Sequence, residues 1–199
     1  MMCFAADRDA SAGSARVIDV RELNGPTRVA VGVVFALRRR WYTARYRSLT
    51  LGEGVMILGP LRIKHGTRVE LGARVRVRGL SVKGGGTVTV GSDTLLNGCW
   101  LIAQEQVTIG RECLISDCGI TDTDYHNLRP EDRHRPPLSA TRAPVEIGDN
   151  VWVGLRALLL KGSTVGSDSV VAAGAVVRGS VPPRVVVSGN PADIVKRFG

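Results

Sequence analysis

From Ile147 to Pro182 the hydrophobic positions recur every six residues. The first position of each block is aliphatic, at Ile147, Val153, Leu159, Val165, Val171 and Val177. The fifth is small or β-branched, at Val151, Ala157, Ser163, Ser169, Ala175 and Val181. That period fits neither a helix, at about 3.6 residues per turn, nor a strand, at about 2. It predicts a β-solenoid, in which each short strand ends in a tight corner and three sides close one coil. One aliphatic side chain per side then points inward and stacks on its counterparts above and below. The fifth residue is narrow because it sits at the corner. The same phase returns upstream at Val90, Leu96 and Ile102 and at Ile109, Ile115 and Thr121, and more loosely at Leu51, Ile57, Ile63 and Val69. A two-sheet sandwich would space its strands irregularly and join them by longer turns.

The pattern divides the chain into residues 1–47, a solenoid over 48–187, and a tail over 188–199. Residues 1–15 are polar and small, a composition expected to be mobile. Asn24-Gly25-Pro26 reads as a turn into a helix with Pro26 near its first position. From Thr27 to about Arg47 the sequence is apolar and then basic, with Arg38-Arg39-Arg40-Trp41-Tyr42 at its centre. Three readings stay open for it: a helix covering the open first coil, a basic amphipathic helix resting on anionic lipid, or a capping strand. Within the solenoid, residues 127–144 are polar and proline-rich and leave the phase, which Val145-Glu146-Ile147 resumes. An excursion from a rigid scaffold is where function tends to sit. The ending reads as a turn followed by a short basic tail, with a helix as one option.

Aromatic residues make up only 5% of the chain against 24 glycines, as expected for stacked aliphatics with glycine at corners. Met1-Met2-Cys3-Phe4 leads into polar residues rather than an apolar stretch, and the longest apolar run, Val29 to Leu37, is too short to span a bilayer, so the expectation is a cytoplasmic protein. Cys3, Cys99, Cys113 and Cys118 show no CxxC spacing, which argues for packed thiols rather than a zinc or redox motif. The net charge of +9 raises nucleic acid as a partner, but no basic stripe interleaved with aromatics supports it. A polyanionic small molecule is an equal reason to carry arginine and lysine.

His126 closes a regular segment and opens the excursion, so the scaffold holds it on one side and leaves it reachable on the other. Imidazole is the usual general base near neutral pH. His65, in a basic solenoid segment, and His134, in mid-loop, read as surface residues.

The hexapeptide blocks, the segment Asp122-Thr-Asp124-Tyr125-His126, the string Val145-Glu-Ile-Gly-Asp-Asn-Val-Trp152-Val-Gly154, the run Val170-Val-Ala-Ala-Gly-Ala-Val-Val177 and the ending Val187-Ser-Gly-Asn-Pro-Ala192 resemble the hexapeptide-repeat acyltransferases. Within that family the resemblance is to the O-acetyltransferases of sugars and polysaccharides, with maltose, galactoside and xenobiotic acetyltransferases. It covers roughly residues 50–198 and is specific from Ile109 onward. It implies an all-β fold, a left-handed parallel β-helix; the hand comes from the resemblance alone, since parallel crossovers are otherwise right-handed.

The resemblance further implies a homotrimer with active sites between subunits and acetyl-CoA as acyl donor. His126 would deprotonate an acceptor hydroxyl or amine that attacks the thioester directly, with no metal required. Asp122, Asp124 or a backbone carbonyl would orient the imidazole, and both aspartates count among the acceptor-binding residues. Asn97, and more weakly Glu105, fall where acceptor hydroxyls are bound, and Tyr125 lies in the same acceptor region. Trp152, Gly154 and Leu155 match the turn lining the pantetheine groove, and Ala172 and Ala173 the corner that meets its amides. Arg178, Lys196 and Arg197, with Pro191 in the closing motif, match positions near the nucleotide and its phosphates. The insertion opened by Asn127-Leu128-Arg129-Pro130 is longer than the short proline-containing turn of the maltose enzymes, and this leaves the acceptor open between a carbohydrate hydroxyl and an amino sugar on a nucleotide. Two other classes share the solenoid: a γ-type carbonic anhydrase, for which the three histidines lack clustered spacing, and a non-catalytic scaffold, against which His126 and the donor-like motifs argue.

Overall fold

A computed structural model describes residues 25–199. The chain divides into two compact units, residues 1–36 and 37–199. The expected mobile stretch of residues 1–15 lies outside the described residues. The capping segment is a helix, Gly25–Arg45, rather than a strand. In the first unit it exposes Val29, Val33 and Val34. In the second, Tyr42 is buried among the first-coil aliphatics and Tyr46 packs beside it, their rings stacked 6.3 Å apart. The Leu61 amide donates to Tyr42 Oη at 3.3 Å, so this end of the helix is pinned to the first coil by a polar contact as well as by packing.

Residues 49–189 form a parallel β-helix of three sheets. The first face stacks seven strands from Leu49–Leu51 to Ser180–Val181. The second runs from Met56–Ile57 to Val185–Gly189 and the third from Leu61–Ile63 to Val176–Val177. The predicted first and fifth positions of the C-terminal coils are all buried. The described solenoid core is thus a column of Val, Ile, Leu and Ala on each face, which is why aromatic residues are dispensable inside.

Upstream, the phase differs from the sequence expectation in two places. The inward residues are Leu101 and Ile120, each one position before Ile102 and Thr121; Ile120 stacks between Leu101 and Leu159. Register explains the slip. Ile147 pairs with Val165, 18 residues on, whereas Val90 pairs with Ile109, 19 residues on. In the longer coils the corner between second and third faces is one residue shorter, and the return from third face to first is two residues longer. That return corner is where the coils bulge, and at residues 122–144 it grows into the excursion.

The tail also differs from one expected form. Residues Ala192–Arg197 make an antiparallel strand against Val185–Gly189, turning through a cis Asn190–Pro191 peptide, so the chain ends as a hairpin and not a helix. Alternating Val185 and Val187 are buried, and the return strand pairs along the edge they leave open.

Candidate active site

The excursion leaves the third face after Gly119–Thr121 and returns at Val145–Ile147. Its two stems pair with each other: the Asp124 amide donates to the Thr141 carbonyl at 2.9 Å and the Ala143 amide to the Asp122 carbonyl at 2.9 Å. One side chain organises what lies between. Asn127 is buried; its amide nitrogen donates to the carbonyls of Asp132 (2.9 Å) and Pro136 (3.1 Å), and its oxygen accepts from the Leu138 amide (2.9 Å). Asn127 thereby gathers a polar loop that has no apolar core of its own. It was not among the residues singled out from sequence, because its partners lie five to eleven positions away along irregular chain.

His126 stands between this knot and the wall and is exposed. Its neighbour Tyr125 takes a left-handed backbone (φ 65), a costly conformation for a bulky residue, which turns the chain sharply just before the imidazole. The Tyr125 amide donates to Thr123 Oγ1 at 3.0 Å, holding that turn, and the Tyr125 ring lies 6.5 Å from the imidazole. The Lys83 ammonium sits 5.4 Å from the centre of the Tyr125 ring.

Asp122 and Asp124 part company. Asp122 is completely buried, and its carboxylate accepts the amides of Gln104 (2.8 Å), Glu105 (2.7 Å) and Gln106 (2.8 Å). It ties the return corner of the preceding coil and has no face left for an acceptor, a correction to the sequence reading. Asp124 Oδ2 is buried and meets the Lys161 ammonium at 2.6 Å. Lys161 also donates to the Ala140 carbonyl at 2.8 Å, so it bridges both stems of the excursion. A cavity of about 170 Å³ lies beneath the loop, lined by Asp124, Asn127, Leu138, Thr141 and Lys161 among others. Glu105 is exposed on the same corner.

The remaining predicted residues fall elsewhere. Asn97, at the end of Leu95–Asn97, lies at the corner between second and third faces. Gly154 and Leu155, then Ala172 and Ala173, follow on that corner in later coils, with Pro191 in the terminal turn. Trp152 stands outward from the second face, 53% exposed, and Lys196 and Arg197 lie on the strand that edges it. Gly154 is fixed by stacking: a Cβ there would approach the Ala173 nitrogen to 2.8 Å. At Gly174, by contrast, a Cβ would meet nothing within 4 Å, so this corner is an open backbone ledge. Arg178 is exposed just past the third face, on the excursion's corner. One chain therefore presents His126 and the Gly174 ledge on two different corners, roughly 15–20 Å apart for a six-residue side at about 3.3 Å per residue.

Cys99, Cys113 and Cys118 are buried free thiols. The hydrogen bond with Cys99, and burial, push the Cys118 thiol up, as expected of a packed thiol. Among the described residues, no three His, Cys, Asp or Glu side chains are placed together to hold a metal ion.

Comparison with known proteins agrees with this architecture. Residues 144–178 match the family described as the hexapeptide repeat of succinyl-transferase. The Escherichia coli (strain K12) galactoside O-acetyltransferase is 38% identical over 55 residues, covering 28% of this chain and 27% of that protein. WbbJ of the same strain, named for O-acetyl transfer in lipopolysaccharide biosynthesis, is 35% identical over 89 residues, covering 40% of this chain and 43% of its own length. The chain thus spans less than half the length of the curated relatives it matches. Among solved structures, the polySia-specific acetyltransferase NeuO superposes with a TM-score of 0.59 at 25% identity over 75% of both chains. A Vibrio cholerae hexapeptide-repeat acetyltransferase, solved with acetyl-CoA, shares the fold at a TM-score of 0.60 and 21% identity, over 90% of this chain and 81% of that one. Residues 144–178 thus carry the hexapeptide repeat, and the chain shares its fold with these acetyltransferases.

Proposed function

We propose that this protein transfers an acetyl group from acetyl-CoA to a carbohydrate hydroxyl, with His126 as general base. The observation that carries the reading is the presentation of His126: an exposed imidazole on a rigid wall, preceded by the strained turn at Tyr125 and followed by the buried Asn127 that fixes the loop beside it. In the proposed step the imidazole takes the acceptor O–H proton as the oxygen attacks the thioester carbonyl. The C–S bond then breaks and the CoA sulfur leaves, protonated by the imidazolium. Tyr125, Glu105 and Asn97 are the proposed acceptor contacts. The ledge at Ala172–Ala173, with Gly154, Leu155 and Trp152, is proposed to carry pantetheine, and Arg178, Pro191, Lys196 and Arg197 the nucleotide end.

The names of the galactoside and polySia enzymes support acetyl transfer to a sugar, and the acetyl-CoA complex of a fold neighbour supports the donor. Because base and ledge stand on different corners of one chain, the complete site is proposed to form where the His126 corner of one copy meets the ledge of another, in a cyclic homotrimer. Purified protein incubated with acetyl-CoA and a panel of sugars, oligosaccharides, nucleotide sugars and amino sugars tests the reading through free thiol release. The expected result is acceptor-dependent release that falls by about 10²–10⁴ in His126→Ala. Release that persists at the wild-type rate in that variant overturns the assignment of the base, and a panel in which only amino sugars respond replaces O- by N-acetylation.

A further inference from the structure

The net positive charge of this chain is carried by one stretch of it. Residues 37–78 contain eleven of the chain's 27 Lys and Arg but only two of its 18 Asp and Glu, Glu53 and Glu70. That stretch carries +9, and the other 16 basic and 16 acidic residues cancel. It forms the second half of the helix and the first coil of the solenoid with the start of the next, on the opposite end from the terminal hairpin. Arg62, Lys64, Arg68 and Arg78 all point outward and are exposed. Among the described residues, Arg74, paired to Asp93 at 2.6 Å, is the one member of this set held in an ion pair.

The helix adds a second feature to the same end. While Tyr42 is buried on the first coil, Leu37 and Trp41 are 61% and 59% exposed. Helical spacing puts Leu37, Trp41 and Ala44 in one stripe, with Arg40 on one flank and Arg38 and Arg45 on the other. An apolar stripe bordered by arginines, with tryptophan in it, suits the plane of a bilayer interface: the stripe enters the headgroup boundary while the guanidinium groups meet lipid phosphates. A soluble polyanion would use the arginines but leave Leu37 and Trp41 without a partner. We infer that the N-terminal end of the solenoid is a docking surface for an anionic lipid bilayer, which holds the enzyme at a membrane surface without crossing it. No described helix is long and apolar enough to cross a membrane.

Flotation of the full chain with vesicles of phosphatidylcholine alone, or of phosphatidylcholine and phosphatidylglycerol at about 7:3, tests this at several salt concentrations. The expected result is binding to the anionic vesicles only, weakened but not abolished by salt, since screening removes the arginine contribution and spares the apolar one. Replacing Arg38, Arg40 and Arg45 together by Gln should lower the partition coefficient about a hundredfold. The double variant Leu37→Ser with Trp41→Ser should lower it at least about tenfold, with an unchanged circular dichroism spectrum showing that the fold is intact. Equal binding to neutral vesicles, or none to anionic ones, overturns the inference. Wild-type binding by the double variant reduces the surface to a general polyanion contact and overturns it too. A drop in oligomer mass in that variant would make the stripe an interface between copies instead.

Discussion

Asp122 is the residue whose sequence context misleads most. It stands four positions before His126 in a segment that resembles a catalytic motif, yet it holds three consecutive amides of the preceding coil. Removing the carboxylate leaves three part-buried N–H groups without their partner, so Asp122→Ala should cost about 2–3 kcal/mol in urea denaturation. Asp122→Asn should cost less, because one oxygen still accepts. A loss of acetyl transfer with unchanged stability would contradict this assignment. Corner chemistry was partly legible in the same way. The fourth residue of the C-terminal blocks is left-handed at Asn150, Arg156, Gly162, Asp168 and Gly174. Asn, Asp and Gly announce that conformation, whereas Arg156 and Tyr125 do not, since nothing local favours it for them. On the exposed rim, hydrogen bonds from the Arg111 side chain and amide hold the Asp149 carboxyl below its usual range. A lowered carboxyl stabilises the fold above the ordinary carboxylate pKa of about 3.9, and the contribution disappears as pH falls through the native value. Thermal melts of Asp149→Asn should therefore differ from wild type at neutral pH and converge with it in acid.

At the scale of elements, the excursion was located from sequence by its loss of period, but its internal fold was not. Period reports stacking, and a loop held by polar contacts around one buried asparagine has none to report. The structure makes its stability depend on few contacts. Asn127→Ala should cost about 1–2 kcal/mol locally by leaving part-buried carbonyls and an amide without their partner. Because those groups shape the ground beside His126, the variant should raise the acceptor KM more than the acetyl-CoA KM. Lys161→Met removes the cation shared by Asp124 and the Ala140 carbonyl, and should act in the same direction with a smaller effect. Equal rises in both KM values would show that the loop serves the donor as well. The helix of residues 25–45 was legible as a helix through Gly25-Pro26, while its attachment through Tyr42 depends on contacts with the first coil that the helix's own pattern does not carry.

Across the whole molecule, the six-residue period gave the solenoid, its three faces and the stacking of its C-terminal coils. It could not give the lengths of the upstream coils, where a shorter corner offsets a longer return and moves the inward residues to Leu101 and Ile120. Nor could it show that the residues expected at one site divide between two corners, which becomes visible only once the coils are closed. That division makes a demanding test possible. His126→Ala leaves the ledge intact, and Ala172→Trp fills the ledge while leaving His126 in place. Each variant alone should be inactive. When the two are unfolded together and reassembled, roughly a quarter of the interfaces in randomly mixed rings combine an intact base with an intact ledge. Thiol release from acetyl-CoA with an accepted sugar should then recover to about a quarter of the wild-type rate. Mixed assemblies that remain as inactive as their parents, although mass analysis shows that they have formed, would contradict a site built by two copies of this chain.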